Sequence, residues 1–245
     1  MTTTASLADA AVLLAAWEEA SAVPACAAGA VLLHRGGLVD DVTQALDLPL
    51  ATTAALVARL YTQTFGENVE AVVGCPGCGE RLEVALPLAR LARVADGPVC
   101  ATVPAADGGR DLVVRCPTSR DLLAAAASAD PAEALLARCV TEAGGGPVAP
   151  AALDETQRAA VDAAAEELAG AAAALLRTCC PACGHEMGVD VDVPALLWQR
   201  IASEVPAVLA EVAELSAAFG WAEGDVLAMS EVRRSAYLRL VRTRP

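Results

Sequence analysis

Lysine is absent from this chain, and all 17 of its basic residues are arginine. Aromatics are scarce at 3%, and there are two histidines. Each shortage excludes something. A core with so few rings must be built from Leu, Val and Ala, which suits closely packed helices. Two histidines leave no Ser–His or Cys–His pair that stands out as a nucleophile and its base. A P-loop, a nucleophile elbow and a dinucleotide fingerprint are also missing, so the chain is expected not to be an enzyme. The arginines are outnumbered by 31 acidic residues, giving a formal net charge of −14. That opposes a nucleic-acid surface, whose affinity comes mostly from phosphate neutralisation. Long apolar runs are lacking too. A stretch such as Ala20 to Leu33, broken by Pro24 and Gly29, falls short of the ~20 residues that span a bilayer. The N-terminus carries no positive n-region, and Asp9 sits where a signal peptide would be apolar. No membrane insertion and a cytoplasmic location are therefore expected.

What the chain does have is cysteine. There are nine, an odd number, and four lie in CxxC pairs. That pattern points to metal usage in a reducing compartment, not to a secreted disulfide framework. Cys75-Pro76-Gly77-Cys78-Gly79 and Cys180-Pro181-Ala182-Cys183-Gly184 are matching CPxCG knuckles, 105 positions apart. Each is a tight turn that presents two thiolates to one ion. Together Cys75, Cys78, Cys180 and Cys183 make the closed four-sulfur set of a structural zinc, with no open position for catalysis. Such an ion is worth ~10–16 kcal/mol of apparent binding free energy in small peptides, against ~5–15 kcal/mol of net stability for a typical domain. The 101 residues between Cys78 and Cys180 do not forbid a shared site, because closure entropy grows only logarithmically with loop length. A thioredoxin-like use would need the CxxC at a helix start, whereas these lie between strand-like runs. Cys179 is an alternative to Cys180, and His185 an alternative fourth ligand. His34 reads as a surface or capping histidine. Cys26, Cys100, Cys116 and Cys139 read as core packing.

Periodicity places the knuckles. Leu7, Ala11, Leu14 and Trp17 recur at helical spacing; Pro24 ends that run, and Gly36-Gly37 ends the next. A helix is predicted from about Thr52 to Phe65. At Val69 the period drops to two: Val69, Ala71 and Val73 enter the first knuckle, and Leu82, Val84, Leu86 and Leu88 leave it. Positions 98–103 and 110–116 form a second hairpin about a turn at Ala106 to Gly109. Ser119 is expected to cap a helix reaching Ala129, Asp130-Pro131-x-Glu133 opens another, and Asp154-x-x-Gln157 resembles a capping box. Gly144-Gly145-Gly146-Pro147 reads as a linker. After the second knuckle Met187, Val189, Val191 and Val193 repeat the register of the first, so two hairpins are related by a pseudo-two-fold axis. Asp190 and Asp192 would share the solvated face of that strand. Ile201, Val205, Val208, Val212, Leu215 and Phe219 then form a heptad-like seam, in which Pro206 should kink or break the helix. Gly220 ends it, and a short helix and a last one capped by Ser230 complete the chain.

The tail runs Phe219-Gly220-Trp221, then Val226-Leu227-x-Met229, then Arg233-Arg234-x-x-Tyr237-Leu238-x-Leu240. Arg233, Arg234, Arg239, Arg242 and Arg244 make this end basic in an acidic protein. The tail resembles the end of the T4-type phage baseplate hub assembly chaperone family, encoded with phage tails and tail-like contractile injection systems, in which a YGW-type turn leads to an RRxxYL helix. Trp17-Glu18, Tyr61 to Phe65-Gly66, the CPxCG knuckles, the PTSRDL phrase from Pro117 to Leu122, and Leu197-Trp198 after a CGH all fit the same family. The chain departs from it in Phe219, where tyrosine is usual, and in an alanine-rich approach to Cys180 where a strand is expected. The resemblance implies a non-enzymatic protein that builds or joins the baseplate of a contractile tail-like particle, with baseplate or hub proteins as partners. Trp221, Arg233, Arg234 and Tyr237 are the candidate partner residues.

The expected fold is α+β: helical N- and C-terminal parts around a small antiparallel zinc ribbon of two CPxCG hairpins. The expected divisions are 1–68 (helical), 69–118 (first knuckle and second hairpin), 119–176 (helical insertion), 177–194 (second knuckle) and 195–245 (helical). Two rivals are a zinc-ribbon adaptor in transcription or RNA handling, which the charge opposes, and a thiol oxidoreductase or zinc enzyme.

Overall fold

The structure is a computed structural model that describes residues 6–67, 69–86, 88–92, 99–105, 110–172, 176–189 and 191–243. The expected turn at 106–109, Asp190 and Arg244 lie outside the described residues.

Four helices open the chain. α1 (Ala10–Ser21) starts where the Asp9 carboxylate accepts the N–H groups of Ala11 and Val12, satisfying donors that have no partner within the helix. Pro24 then sets the entry to α2 (Ala25–Arg35), α3 (Val42–Leu46) is capped by Asp41, and α4 spans Leu50–Phe65. Much later comes α9 (Val193–Phe219), capped by Asp192. These helices share one aliphatic core. Leu13, Leu32, Leu33, Val57, Leu197 and Ile201 are buried in it, with Ala16, Ala28 and Ala58 where backbones come close. Each fully buried Leu or Ile is worth ~1.5–3 kcal/mol over leaving it in water. Trp17 and Trp198 pack at its margin.

Between α4 and α9 lie the strands. β1 (Glu70–Gly74) and β2 (Arg81–Ala85) form an antiparallel hairpin in which Val73 pairs with Leu82 and Ala71 with Val84. A single turn, α5 (Leu88–Leu91), comes next. β3 (Cys100–Val103) and β4 (Leu112–Arg115) pair as expected. A third strand, β5 (Val140–Glu142), adds to β4. It continues directly from α7 (Pro131–Cys139), itself preceded by α6 (Ser119–Ala126). A 3-10 turn at Pro150–Ala152 leads into α8 (Glu155–Ala172). Val103, Val114, Val140, Val161 and Leu168 close a second, smaller core between this sheet and α8. β6 (Leu176–Cys179) and β7 (Glu186–Val189) make the last hairpin. The chain finishes with α10 (Glu223–Leu227) and α11 (Glu231–Arg242), both packed on the C-terminal half of α9.

Several expectations need correction. Thr118, not Ser119, caps α6, in a reciprocal box with Asp121; Ser119 is the first helical residue and is buried. The Gly144–Pro147 stretch folds back on the sheet, with Glu142 N–H on the Gly146 carbonyl at 2.8 Å. Asp192 caps α9 instead of sharing a strand face. α9 is continuous across Pro206, whose ring faces solvent. Cys100 is exposed and Cys26 half-buried, whereas Cys116 and Cys139 are buried as expected. The approach to Cys180 is a strand despite its alanine-rich lead-in.

Candidate metal centre and partner surface

The two knuckles obey one geometry. Cys75 N–H donates to the Glu80 carbonyl at 2.8 Å, and Gly79 N–H to the Cys75 carbonyl at 2.8 Å. The same bonds recur 105 residues later, from Cys180 to His185 at 2.9 Å and from Gly184 to Cys180 at 2.8 Å. Gly79 and Gly184 have φ of +76° and +74°, a left-handed turn that a side chain would strain. That is the physical reason for the G in each CPxCG. The repeat continues outward. Leu88 opens α5 and Val193 opens α9, and both are buried, so each hairpin hands its chain to the helical core at the matching position.

The four sulfurs converge. Cys75, Cys78, Cys180 and Cys183 offer ligand atoms that all lie within 4.8 Å of one another. The Cys75–Cys183 and Cys78–Cys180 pairs are 3.7 Å apart, as a two-fold axis between the knuckles requires. A tetrahedral ion with ~2.3 Å sulfur bonds sets its ligands ~3.8 Å apart, so the cluster could bind a metal ion. Cys75 and Cys180 are buried while Cys78 and Cys183 face solvent. Leu82, Val84, Val73 and Met187 pack around the buried pair. Cys179 is exposed and outside the cluster. His185 lies against the opposite knuckle: a Cβ at Gly77 would sit 3.1 Å from its ring. Gly77 therefore stands where the second knuckle carries Ala182.

Proton affinity within the cluster is split. For Cys180, burial pushes upward, but the N–H groups of Cys183 and Ala182 and the sulfurs of Cys75 and Cys78 bring the thiol down to about 7. For Cys78 the Glu80 N–H pulls downward, yet the Cys183 sulfur, burial and the other two sulfurs push it up to about 12. Crowded sulfurs cannot all carry charge together; a dication among them removes that conflict. Elsewhere, burial pushes the Cys139 thiol up to about 11, which suits an inert packing residue.

A third constellation escaped the sequence. Asp121, in the PTSRDL phrase, is 2% exposed. It accepts from Arg115 through both oxygens (2.6 and 3.0 Å), from Arg138 at 2.8 Å, and from the Thr118 N–H and hydroxyl. Burial alone would raise its pKa, but Arg115, the Thr118 N–H and Arg138 hold it well below the usual carboxylate range. Arg120 beside it pairs with Asp47, and Leu50 N–H donates to the Pro117 carbonyl, so this phrase fastens the small sheet to α4. The sequence shows the phrase but not the two arginines that meet it from β4 and α7.

At the tail, Phe219, Trp221 and Tyr237 stack in a three-ring cluster with centroids 4.5–5.6 Å apart. Trp221 and Tyr237 are half-buried. Arg234 is 7% exposed and bonds Glu211 at 3.1 Å and the Met229 carbonyl at 2.8 Å. It therefore ties α11 to α9. Arg233 is exposed, with its guanidinium 5.8 Å from the Tyr237 ring centroid. Of these four, Arg233 presents the free charge.

Residues 36–146 match a family model described as T4 bacteriophage base plate protein. The match supports a phage baseplate protein. It covers less than half of the chain, running from the end of α2 through the first knuckle, the three-stranded sheet and α7. No curated protein and no solved structure gives a significant match. No helix among the described residues is long and apolar enough to cross a membrane.

Proposed function

We propose that this is a non-enzymatic assembly or structural protein of the baseplate of a contractile, phage-tail-like particle, of the hub assembly chaperone kind. The observation that carries this is the baseplate family match over residues 36–146. The second knuckle and the RRxxYL tail, which lie beyond the match, add the resemblance to hub assembly chaperones. The four-cysteine cluster holds zinc as a structural ion. A set of four sulfurs at tetrahedral spacing is the donor arrangement of Zn or Fe–S centres, and a closed, redox-silent zinc suits two knuckles whose only shared task is to hold the chain. Cys75, Cys78, Cys180 and Cys183 are its ligands.

Baseplate or hub proteins dock on the C-terminal helices, with Arg233, Trp221 and Tyr237 in contact and Arg234 holding α11 in place. Co-expression with the neighbouring tube, spike and baseplate proteins tests this. The protein is expected to co-purify with at least one of them, and Arg233→Glu to reduce the yield of that complex. Purification free of every such protein would overturn the assignment. For the metal, elemental analysis should give one zinc per chain; iron or an empty site would refute the zinc assignment.

A further inference from the structure

Two surface features belong neither to the four-sulfur cluster nor, apart from Arg233, to the proposed partner surface. One is a groove of about 400 Å³ where α2, α4, α6 and the start of α9 meet. Its walls include Cys26, Leu50, Ala54, Leu122 and Pro194, and Asp192 stands at its edge. Among its described lining residues Asp192 is the only carboxylate, and no arginine is present. The floor is closed by tight packing, since a Cβ at Gly29 would lie 3.3 Å from Thr53 and 3.4 Å from Pro194. At ~30 Å³ per water it has room for more than one aliphatic side chain.

The second feature is the outer face of α11. Val232 is 79% exposed and Leu240 60%. They lie eight residues apart, on one stripe with Ala236 between them. Arg233 and Arg239 flank the stripe on opposite sides. Arg234 and Arg242 are paired with Glu211 and Glu214, but neither Arg233 nor Arg239 has a carboxylate partner among the described residues. The stripe is thus apolar between two arginines, with Glu231 exposed beside Val232 at the helix start, and the groove is apolar with the carboxylate of Asp192, which also caps α9, at its border.

They cannot meet within one molecule. The groove is at the N-terminal end of α9, and α11 packs on its C-terminal half. The 27 residues of α9 put ~40 Å between its ends. We infer that the Val232–Leu240 stripe of one copy docks in the groove beside Asp192 of a second copy. The contact is head-to-tail, because each copy offers a different surface to each neighbour. Such contacts build closed rings or open chains, not self-limiting two-fold dimers. Opposite borders, with Arg233 and Arg239 facing Asp192, set the orientation. The inference concerns self-association and does not depend on the baseplate assignment.

Sedimentation velocity across a concentration series tests it. The wild-type protein should grow beyond a dimer as concentration rises, and added salt should weaken that growth. Val232→Glu/Leu240→Glu destroys the stripe, and Ala25→Arg places a cation at the groove mouth; all three positions are exposed. Each variant alone should remain monomeric. An equimolar mixture of the two should give a heterodimer and nothing larger, because one intact stripe meets one intact groove. That recovery also shows both variants to be folded. A wild type that stays monomeric, variants that still self-associate, or a mixture without heterodimer would each overturn the inference.

Discussion

The helical body and the paired knuckles are held together by different means. Among the described residues, the body has twenty that are buried in one continuous cluster, nearly all Leu, Val, Ile and Ala. The knuckle region has four among its described residues, and two of those are cysteines. Burial is a sum of many small terms, so the body can lose one of them and still fold. The hairpins are two-stranded, and a two-stranded hairpin is marginal by itself in water. Their stability is concentrated in whatever joins four sulfurs. One region is redundant and the other is not.

The sharpest way to break that comparison is to remove the ion proposed at the four sulfurs. Chelation, or Cys180→Ser, should forfeit most of a contribution on the order of 10 kcal/mol. Hydrogen-exchange protection in β1, β2, β6 and β7 should collapse. Far-ultraviolet circular dichroism should keep most of its helical signal, because α1, α2, α4 and α9 share a core whose described buried residues include no cysteine or methionine. Equal loss of both signals would show that the body, too, depends on the clasp.

Next in size is Asp121, which borrows from both modes: one buried group with many partners. Asp121→Asn should cost about 3–5 kcal/mol, the range for breaking a buried ion pair by removing one partner, measured by urea denaturation. Its folded pKa is depressed, so the sign is fixed. The contribution is complete above the unfolded value of ~3.9 and disappears as pH falls below it. Wild-type protein should lose stability as pH falls below ~4 more steeply than Asp121→Asn.

Within the redundant region, Ile201→Ala should cost about 2–5 kcal/mol and leave metal content unchanged, a result that calorimetry and metal analysis read together. The smallest effect sharpens the comparison inside a single knuckle. Gly79→Ala should cost about 1–2 kcal/mol through its positive φ. Gly77→Ala should cost less, because Gly77 has no positive φ to strain and the exposed His185 ring can shift by the few tenths of an ångström that the added methyl needs.

Legibility splits along the same divide. Local signals are plain: Asp130, Asp154 with Gln157, and Ser230 each cap the helix that begins beside them, and the knuckle spacing picks out the four sulfurs that converge. What the sequence conceals is set by distant partners. β5 has three residues and owes its existence to the open edge of β4, so no alternation could announce it. β6 is masked by the alanines ahead of it and is a strand because β7 pairs with it. Asp121 looks like one acid in a helix start, since Arg115 and Arg138 reach it only after folding. Pro206 looks like a breaker and is not one. Its missing N–H removes one bond, while Ile201, Val205 and Val212 hold α9 along its buried face.

The 105-residue offset between the knuckles also orders events during synthesis. Half a binding site is made first, and its thiols have no mates until Cys183 leaves the ribosome. At ~5–20 residues per second, the 101 intervening residues impose a wait on the order of 5–20 s. Through that interval Cys75 and Cys78 are an unfinished pair on a chain whose first four helices are already complete. The clasp can close only behind the inserted sheet and α8, so metal capture at the proposed site would certify that both halves of the protein have been made.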